Sequence, residues 1–162
     1  MKIKGLIDED MVNFKLPSMF IITSTCSFKC DKEAGCQVCQ NSDLANATIV
    51  DYPDEAIVER YLNNPISEAI TFGGLEPFDQ FKELYDLIKL FRQKTQDPIV
   101  IYTGYYPMER STLLKCLNQW DNIIIKFGRF IPNKPSIYDD VLGVNLASDN
   151  QYAMRLEDVF KW

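Results

Sequence analysis

Met19-Phe20-Ile21-Ile22-Thr23-Ser24-Thr25-Cys26-Ser27-Phe28-Lys29-Cys30 is the stretch on which the fold turns. A short apolar run after Pro17 reads as a buried strand. The cysteine-rich residues 26–41 follow it directly and read as a loop. The same strand-then-loop arrangement recurs downstream. Ala69-Ile70-Thr71-Phe72 is stopped by Gly73-Gly74. Ile99-Val100-Ile101-Tyr102-Thr103 is opened by Pro98 and ended by Gly104. Ile123-Ile124-Ile125-Lys126-Phe127 runs into Gly128-Arg129.

Helices fill the intervals. Residues 54–62 predict a short one, with Asp54 as its cap and Ile57, Val58, Tyr61 and Leu62 on one face. Over residues 79–94, Phe81, Leu84, Tyr85, Ile88 and Phe91 recur at helical spacing behind Asp79, a candidate cap. A third helix is expected at about residues 107–118, and residues 141–146 predict a last short strand. Alternation of this kind, with unbroken apolar strands, implies an α/β fold: a mostly parallel sheet covered by helices. Right-handed crossovers then bring the loops after the strands to one rim, the edge at which such folds build their sites. A full eight-unit barrel needs about 200 residues or more. The chain has 162, so an incomplete, laterally open barrel is expected. No linker or repeat divides it, and residues 1–162 are read as a single domain.

Composition narrows the chemistry. Net charge is −6, which argues against a nucleic-acid partner, because phosphate neutralisation needs clustered Lys and Arg. No apolar run approaches the roughly 20 residues of a membrane span, and residues 1–15 lack the apolar region of a signal peptide. A plain cytoplasmic start is the expectation, with no membrane partner. Histidine is absent. That removes Ser–His and Cys–His nucleophile pairs and the His-based metal sites.

Four of the five cysteines, Cys26, Cys30, Cys36 and Cys39, fall within 14 residues. In a cytosolic chain such crowding indicates metal binding before disulfides. Thiolate sets suit iron–sulfur and zinc alike, and the spacing by itself leaves both open. Cys116, among Leu113, Leu114 and Leu117, is read as a core residue. A four-iron cluster held by three cysteines keeps one iron open to a ligand, whereas a fully ligated cluster passes electrons only.

The neighbouring motifs carry a family resemblance. Cys26-Ser27-Phe28-Lys29-Cys30 with Cys39-Gln40-Asn41 resembles the cluster loop of radical S-adenosylmethionine (SAM) activating enzymes, whose pattern is Cys-x3-Cys-x2-Cys. Gly73-Gly74-Leu75-Glu76-Pro77 resembles their Gly-Gly-Glu-Pro segment with Leu75 inserted. Tyr102-Thr103-Gly104-Tyr105, Lys126-Phe127-Gly128-Arg129-Phe130 and Ser148-Asp149-Asn150-Gln151 are similar to segments of anaerobic ribonucleoside-triphosphate reductase activating proteins. The motifs keep their order from about residue 18 to 155. Two departures stand out: an insertion, Asp31 to Gly35, separates the cysteines, and Val38 occupies a position where the family often has an aromatic residue. Two ligand sets therefore compete, Cys26, Cys30 and Cys39 or Cys30, Cys36 and Cys39. The first is preferred because Cys26 follows its strand directly, and Cys36 is then a spare or a fourth ligand.

The resemblance implies a partial radical SAM β/α barrel holding a 4Fe-4S cluster and SAM. Gly73, Gly74 and Glu76 would serve the methionine end of SAM, and Thr103 and Gly104 the adenosine end. Lys126 and Arg129 could pair with carboxylate or ribose groups, although each taken alone reads as a solvated surface charge. No catalytic side chain is assigned. The implied activity is that of an activase generating a 5′-deoxyadenosyl radical to install a glycyl radical on a partner, anaerobic ribonucleotide reductase being the expected one, with a reduced flavodoxin-type electron donor. The competing readings are a non-catalytic Cys-rich zinc or iron–sulfur adaptor, and a radical SAM enzyme acting on another glycyl radical enzyme or a peptide.

Overall fold

The computed structural model describes residues 1–161. In chain order the elements are β1 (Lys2–Asp10), β2 (Ser18–Thr23), α1 (Lys29–Ala34), β3 (Val50–Asp51), α2 (Asp54–Leu62), β4 (Ala69–Gly73), α3 (Phe81–Arg92), β5 (Ile99–Tyr102), α4 (Ser111–Leu117), β6 (Ile123–Phe127), β7 (Ile137–Asp139), β8 (Val144–Leu146) and β9 (Tyr152–Arg155). Seven strands form one sheet in the order β3-β1-β2-β4-β5-β6-β9. Its centre, β2-β4-β5-β6, is parallel throughout, and the flanking β1, β3 and β9 join antiparallel. Strands β7 and β8 make a separate antiparallel hairpin.

Strand periodicity divides the interior into two layers. Met19 and Ile21, Ile70 and Phe72, Ile99 and Ile101, and Ile123 and Ile125 all point to one face. There they meet Ile57, Val58 and Tyr61 of α2, Leu84, Leu87, Ile88 and Phe91 of α3, and Leu114 and Leu117 of α4. The alternate residues Ala69, Val100 and Ile124 face the other way. Among the described residues no long helix covers that side: Phe14, Leu142 and Leu146, from a strap after β1 and from the hairpin region, pack on it instead. Lys15 N–H donates to the Leu142 carbonyl at 2.8 Å and Tyr102 Oη to the Asn13 carbonyl at 2.5 Å, so strap, hairpin region and sheet are tied together. The sheet is thus mixed with a parallel centre, and its long helices lie on one face only.

Several expectations need correction. Strand β1, whose Ile3 is buried against the core, lies where the sequence pattern indicated no element. Asp54 does not cap α2. Pro53 holds that position, and Asp54 Oδ1 accepts instead from the Met1 amino group at 2.5 Å. Leu62 leaves the apolar face and is exposed. The helix expected from residue 79 begins at Phe81, after a 3-10 turn over Pro77–Gln80. Residues 107–118 divide into a 3-10 turn and α4. Only Val144–Leu146 of the stretch 141–146 is a strand, and it lies in the hairpin, while β9 supplies the sheet edge. Cys116 is exposed rather than core. Leu114 and Leu117 fix the buried side of α4, and Cys116 lies about a third of a turn away from it.

Candidate metal and cofactor site

The loops after β2, β4, β5 and β6 converge, as the crossover rule requires, at the C-terminal edge of the parallel strands. They surround a cavity of about 430 Å³ on the helix-free side. Cys26, Cys30 and Cys39 line it, together with Gly74, Glu76, Thr103, Gly104 and Lys126. Of the residues singled out from the sequence, Gly73, Cys36 and Arg129 are not in its wall. Cys36 is exposed, its thiol 3.7 Å from the Ala34 carbonyl.

Glu76 organises the wall. It caps the turn at Pro77 by accepting from Phe78 N–H at 3.1 Å. The same carboxylate takes the Thr103 hydroxyl at 2.8 Å and the Gly104 N–H at 2.8 Å, which joins the loop after β4 to the loop after β5. Its own N–H donates to the Thr25 carbonyl at 2.8 Å, just before Cys26. Burial pushes the carboxyl up to about 7; the donors at Gly104, Thr103 and Phe78 oppose that, and Asp79 adds to it. Every hydrogen-bonding neighbour of the carboxyl is a donor, so the ionised form is the one whose lone pairs are met.

Gly74 is required by backbone and space together. Its φ is +83°, and a Cβ there would sit 2.5 Å from Ile22 Cγ2. A Cβ on Gly73 would meet the Phe20 ring at 2.9 Å. The immediate reason for the glycine pair is therefore tight packing of the turn on β2.

Lys126 and Arg129 are both buried, against the expectation of solvated surface charges. Lys126 follows β6 alternation onto the helix-free face with Ile124, and its Nζ donates to the Gly128 carbonyl at 2.9 Å. Burial lowers its ammonium to about 8, an effect opposed by Glu76 and Cys30. Arg129 pairs with Glu109 and lies 3.1 Å from Glu33, without hydrogen-bond alignment to the latter. The lone Lys inside an otherwise apolar strand was the available signal for an inward cation.

Asp79, expected as a helix cap, instead fixes the cysteine loop. Its Oδ2 accepts from Ser27 N–H at 2.7 Å and its Oδ1 from the Tyr105 hydroxyl at 2.6 Å. Arg110 stacks on the Tyr105 ring at 3.6 Å and reaches Asp79 at 3.4 Å. Nothing in local sequence pattern distinguishes this role from capping.

The thiols suit a soft metal. Phe28 N–H donates to Cys26 Sγ at 3.2 Å, and the Phe130 backbone N–H is directed at Cys30. Such N–H···S bonds favour the thiolates that iron–sulfur ligation uses. Burial nonetheless pushes Cys26 up to about 12 and Cys30 upward too, so the uncomplexed thiols hold their protons and would release them on binding metal. Among the described residues, no three Cys, Asp or Glu side chains are gathered at metal-ligand spacing. The donor set fits a cluster by its chemistry and its shared cavity.

Residues 18–150 match the protein family described as a 4Fe-4S single cluster domain. The chain belongs to that family, and the metal that cysteine spacing left open is iron–sulfur rather than zinc. No curated protein and no solved structure matches the chain. No helix among the described residues is long and apolar enough to cross a membrane.

Proposed function

We propose that the chain is a radical SAM activase, built as a partial β/α barrel, in which Cys26, Cys30 and Cys39 hold the 4Fe-4S cluster and Cys36 is a spare. The observation that carries this reading is the joint lining of one cavity by those three thiols and by the Gly74, Glu76, Thr103 and Gly104 turns. An adaptor that only held or passed electrons would have no need of a roomy polar chamber beside its cluster. When bound, a reduced four-iron cluster and SAM supply a 5′-deoxyadenosyl radical, the species that removes hydrogen from a glycine of a partner.

The chain's own residues bind and orient. Glu76 holds the two rim turns at a fixed separation and would be the acceptor for an ammonium group of the bound cofactor. Lys126 is a buried cation suited to a carboxylate. Gly74 lets the main chain turn where a side chain would strike Ile22. Hydrogen-atom abstraction needs no general base, which agrees with the absence of histidine.

Among the described residues the side of the sheet away from α2 to α4 is covered by a strap and a hairpin region, so a partner's glycine-bearing loop is the proposed closing element. Anaerobic ribonucleotide reductase is the proposed partner, a reduced flavodoxin-type protein the proposed donor, and the cytoplasm the proposed location. The test is anaerobic reconstitution with iron and sulfide, followed by dithionite and SAM. Formation of 5′-deoxyadenosine supports the reading. A four-iron protein that leaves SAM intact, alone and with the partner, identifies an electron-transfer or adaptor module.

A further inference from the structure

The segment that interrupts the cysteine spacing is folded. It forms α1, which starts after Phe28 in the left-handed region (φ 50°) and ends on Gly35 (φ 69°). None of its residues is buried, so apolar packing does not explain its position. Polar ties do. Lys29 Nζ meets Glu109 at 2.8 Å, the same Glu109 takes Arg129, and Arg129 lies beside Glu33. These contacts bind α1 to the rim after β5 and β6.

On its other side Asp31 turns toward the returning chain. Its Oδ1 accepts from both Val38 N–H and Cys39 N–H, each at 2.8 Å. With those two amides held, Cys39 faces the cavity beside Cys30, while Cys36 is left outside on the exposed bend. Three residues of chain span up to about 10 Å, so a return freed from α1 could bring Cys36 to the place of Cys39.

We propose that Asp31 is a positioning residue that selects Cys39 over Cys36 as the third cluster ligand. The proposal rests on the cluster reading above. Only Oδ1 is used, so an asparagine oxygen can accept the same two bonds, whereas an alanine can accept neither. The predicted order is therefore rescue by Asp31→Asn and failure of Asp31→Ala.

The experiment uses the full chain, wild type and both variants, each with and without Cys36→Ala. Amide hydrogen exchange at Val38 and Cys39 is read before reconstitution. Iron and sulfide content and the electron paramagnetic resonance spectrum of the dithionite-reduced cluster are read after it. In wild type and Asp31→Asn, both amides are protected and a single cluster signal is indifferent to Cys36→Ala. In Asp31→Ala, the two amides exchange about tenfold faster or more, and a mixed signal collapses to one species when Cys36 is removed. If Asp31→Ala also loses the far-UV circular dichroism of the sheet, Asp31→Ser, too short to reach both amides, is read in its place. An alanine variant with the wild-type signal, indifferent to Cys36→Ala, overturns the proposal while leaving the cluster reading intact. A wild-type chain that takes up no four-iron cluster overturns both.

Discussion

Glu76 and Glu109 are two carboxyls near one rim that burial and partners push in opposite directions. Glu76 makes both oxygens acceptors, to Thr103 and Phe78 on one and Gly104 on the other. Glu76→Gln would set an amide NH₂ against one of those donors, leaving a buried N–H without an acceptor. The expected cost is about 1–3 kcal/mol, read as a lowered urea midpoint with an unchanged slope. An unchanged midpoint would mean that the turns are not held through this side chain. Glu109 behaves oppositely. Burial works to raise its carboxyl, but the bonds from Arg129, Lys29 and Tyr106 N–H outweigh it and hold the group at about 2. A folded value below the unfolded one means that the folded chain binds fewer protons. The resulting stability is fully present above about pH 4.5 and is lost as pH falls toward about 2. Glu109→Gln should flatten this part of the acid limb in a pH series of denaturation midpoints. An acid limb identical to wild type between these pH values would show that the three bonds do not bear on stability.

Elements differ in how far local pattern announces them. Helix α3 was readable because its apolar residues recur at the helical period, and Leu84, Ile88 and Phe91 are indeed fully buried. Phe91 also meets Tyr61 edge-on at 5.5 Å, which couples α3 to α2. Phe91→Ala should therefore cost about 3–5 kcal/mol, measured by thermal or urea unfolding. A loss below about 1 kcal/mol would mean that the two helices close over the gap. Strands β4, β5 and β6 were equally legible, since strands buried on both faces are continuously apolar. Strands β1 and β9 were not. They lie outside the parallel centre, half exposed, with charged residues that mask the alternation. The site divides in the same way. The converging loops follow from topology, so Glu76, Thr103, Gly104 and the thiols of Cys26, Cys30 and Cys39 could be placed together from sequence. Asp31 and Asp79 could not, because their partners lie across loops whose paths are set by tertiary contacts: Val38 and Cys39 for the one, Ser27 and Tyr105 for the other. Lys126 and Arg129 were misread as solvated for a related reason. Charge alone says nothing of which face of the sheet receives a side chain, or of whether that face is covered.

At the scale of the whole molecule, the thiols stand apart from the folding core. The two apolar clusters are built from strands, α2 to α4, the strap, the hairpin region and the turns after β4, β5 and β9, and neither contains a cysteine. Cys26, Cys30 and Cys39 lie beyond β2, Cys30 on α1 and the other two on the chain flanking it, at the rim rather than between the layers. Small metal domains without a core of their own unfold when the metal is taken away. Here the buried residues Met19, Ile21, Ile70, Phe72, Ile99, Ile101 and Ile125, packed against three helices, supply the cooperative unit by themselves. Burial of each such side chain contributes about 1.5–3 kcal/mol before chain entropy is set against it. The triple variant Cys26→Ala, Cys30→Ala, Cys39→Ala should accordingly keep a cooperative thermal transition and the far-UV spectrum of the wild type while binding no iron. Reconstitution of the wild type should protect amides over residues 26–41 far more than those of β4 or β5, because a ligand that binds only the folded loop stabilises what it touches. A triple variant that melted without cooperativity would place the cluster inside the folding unit, and the sheet would then depend on a metal that its core residues do not touch.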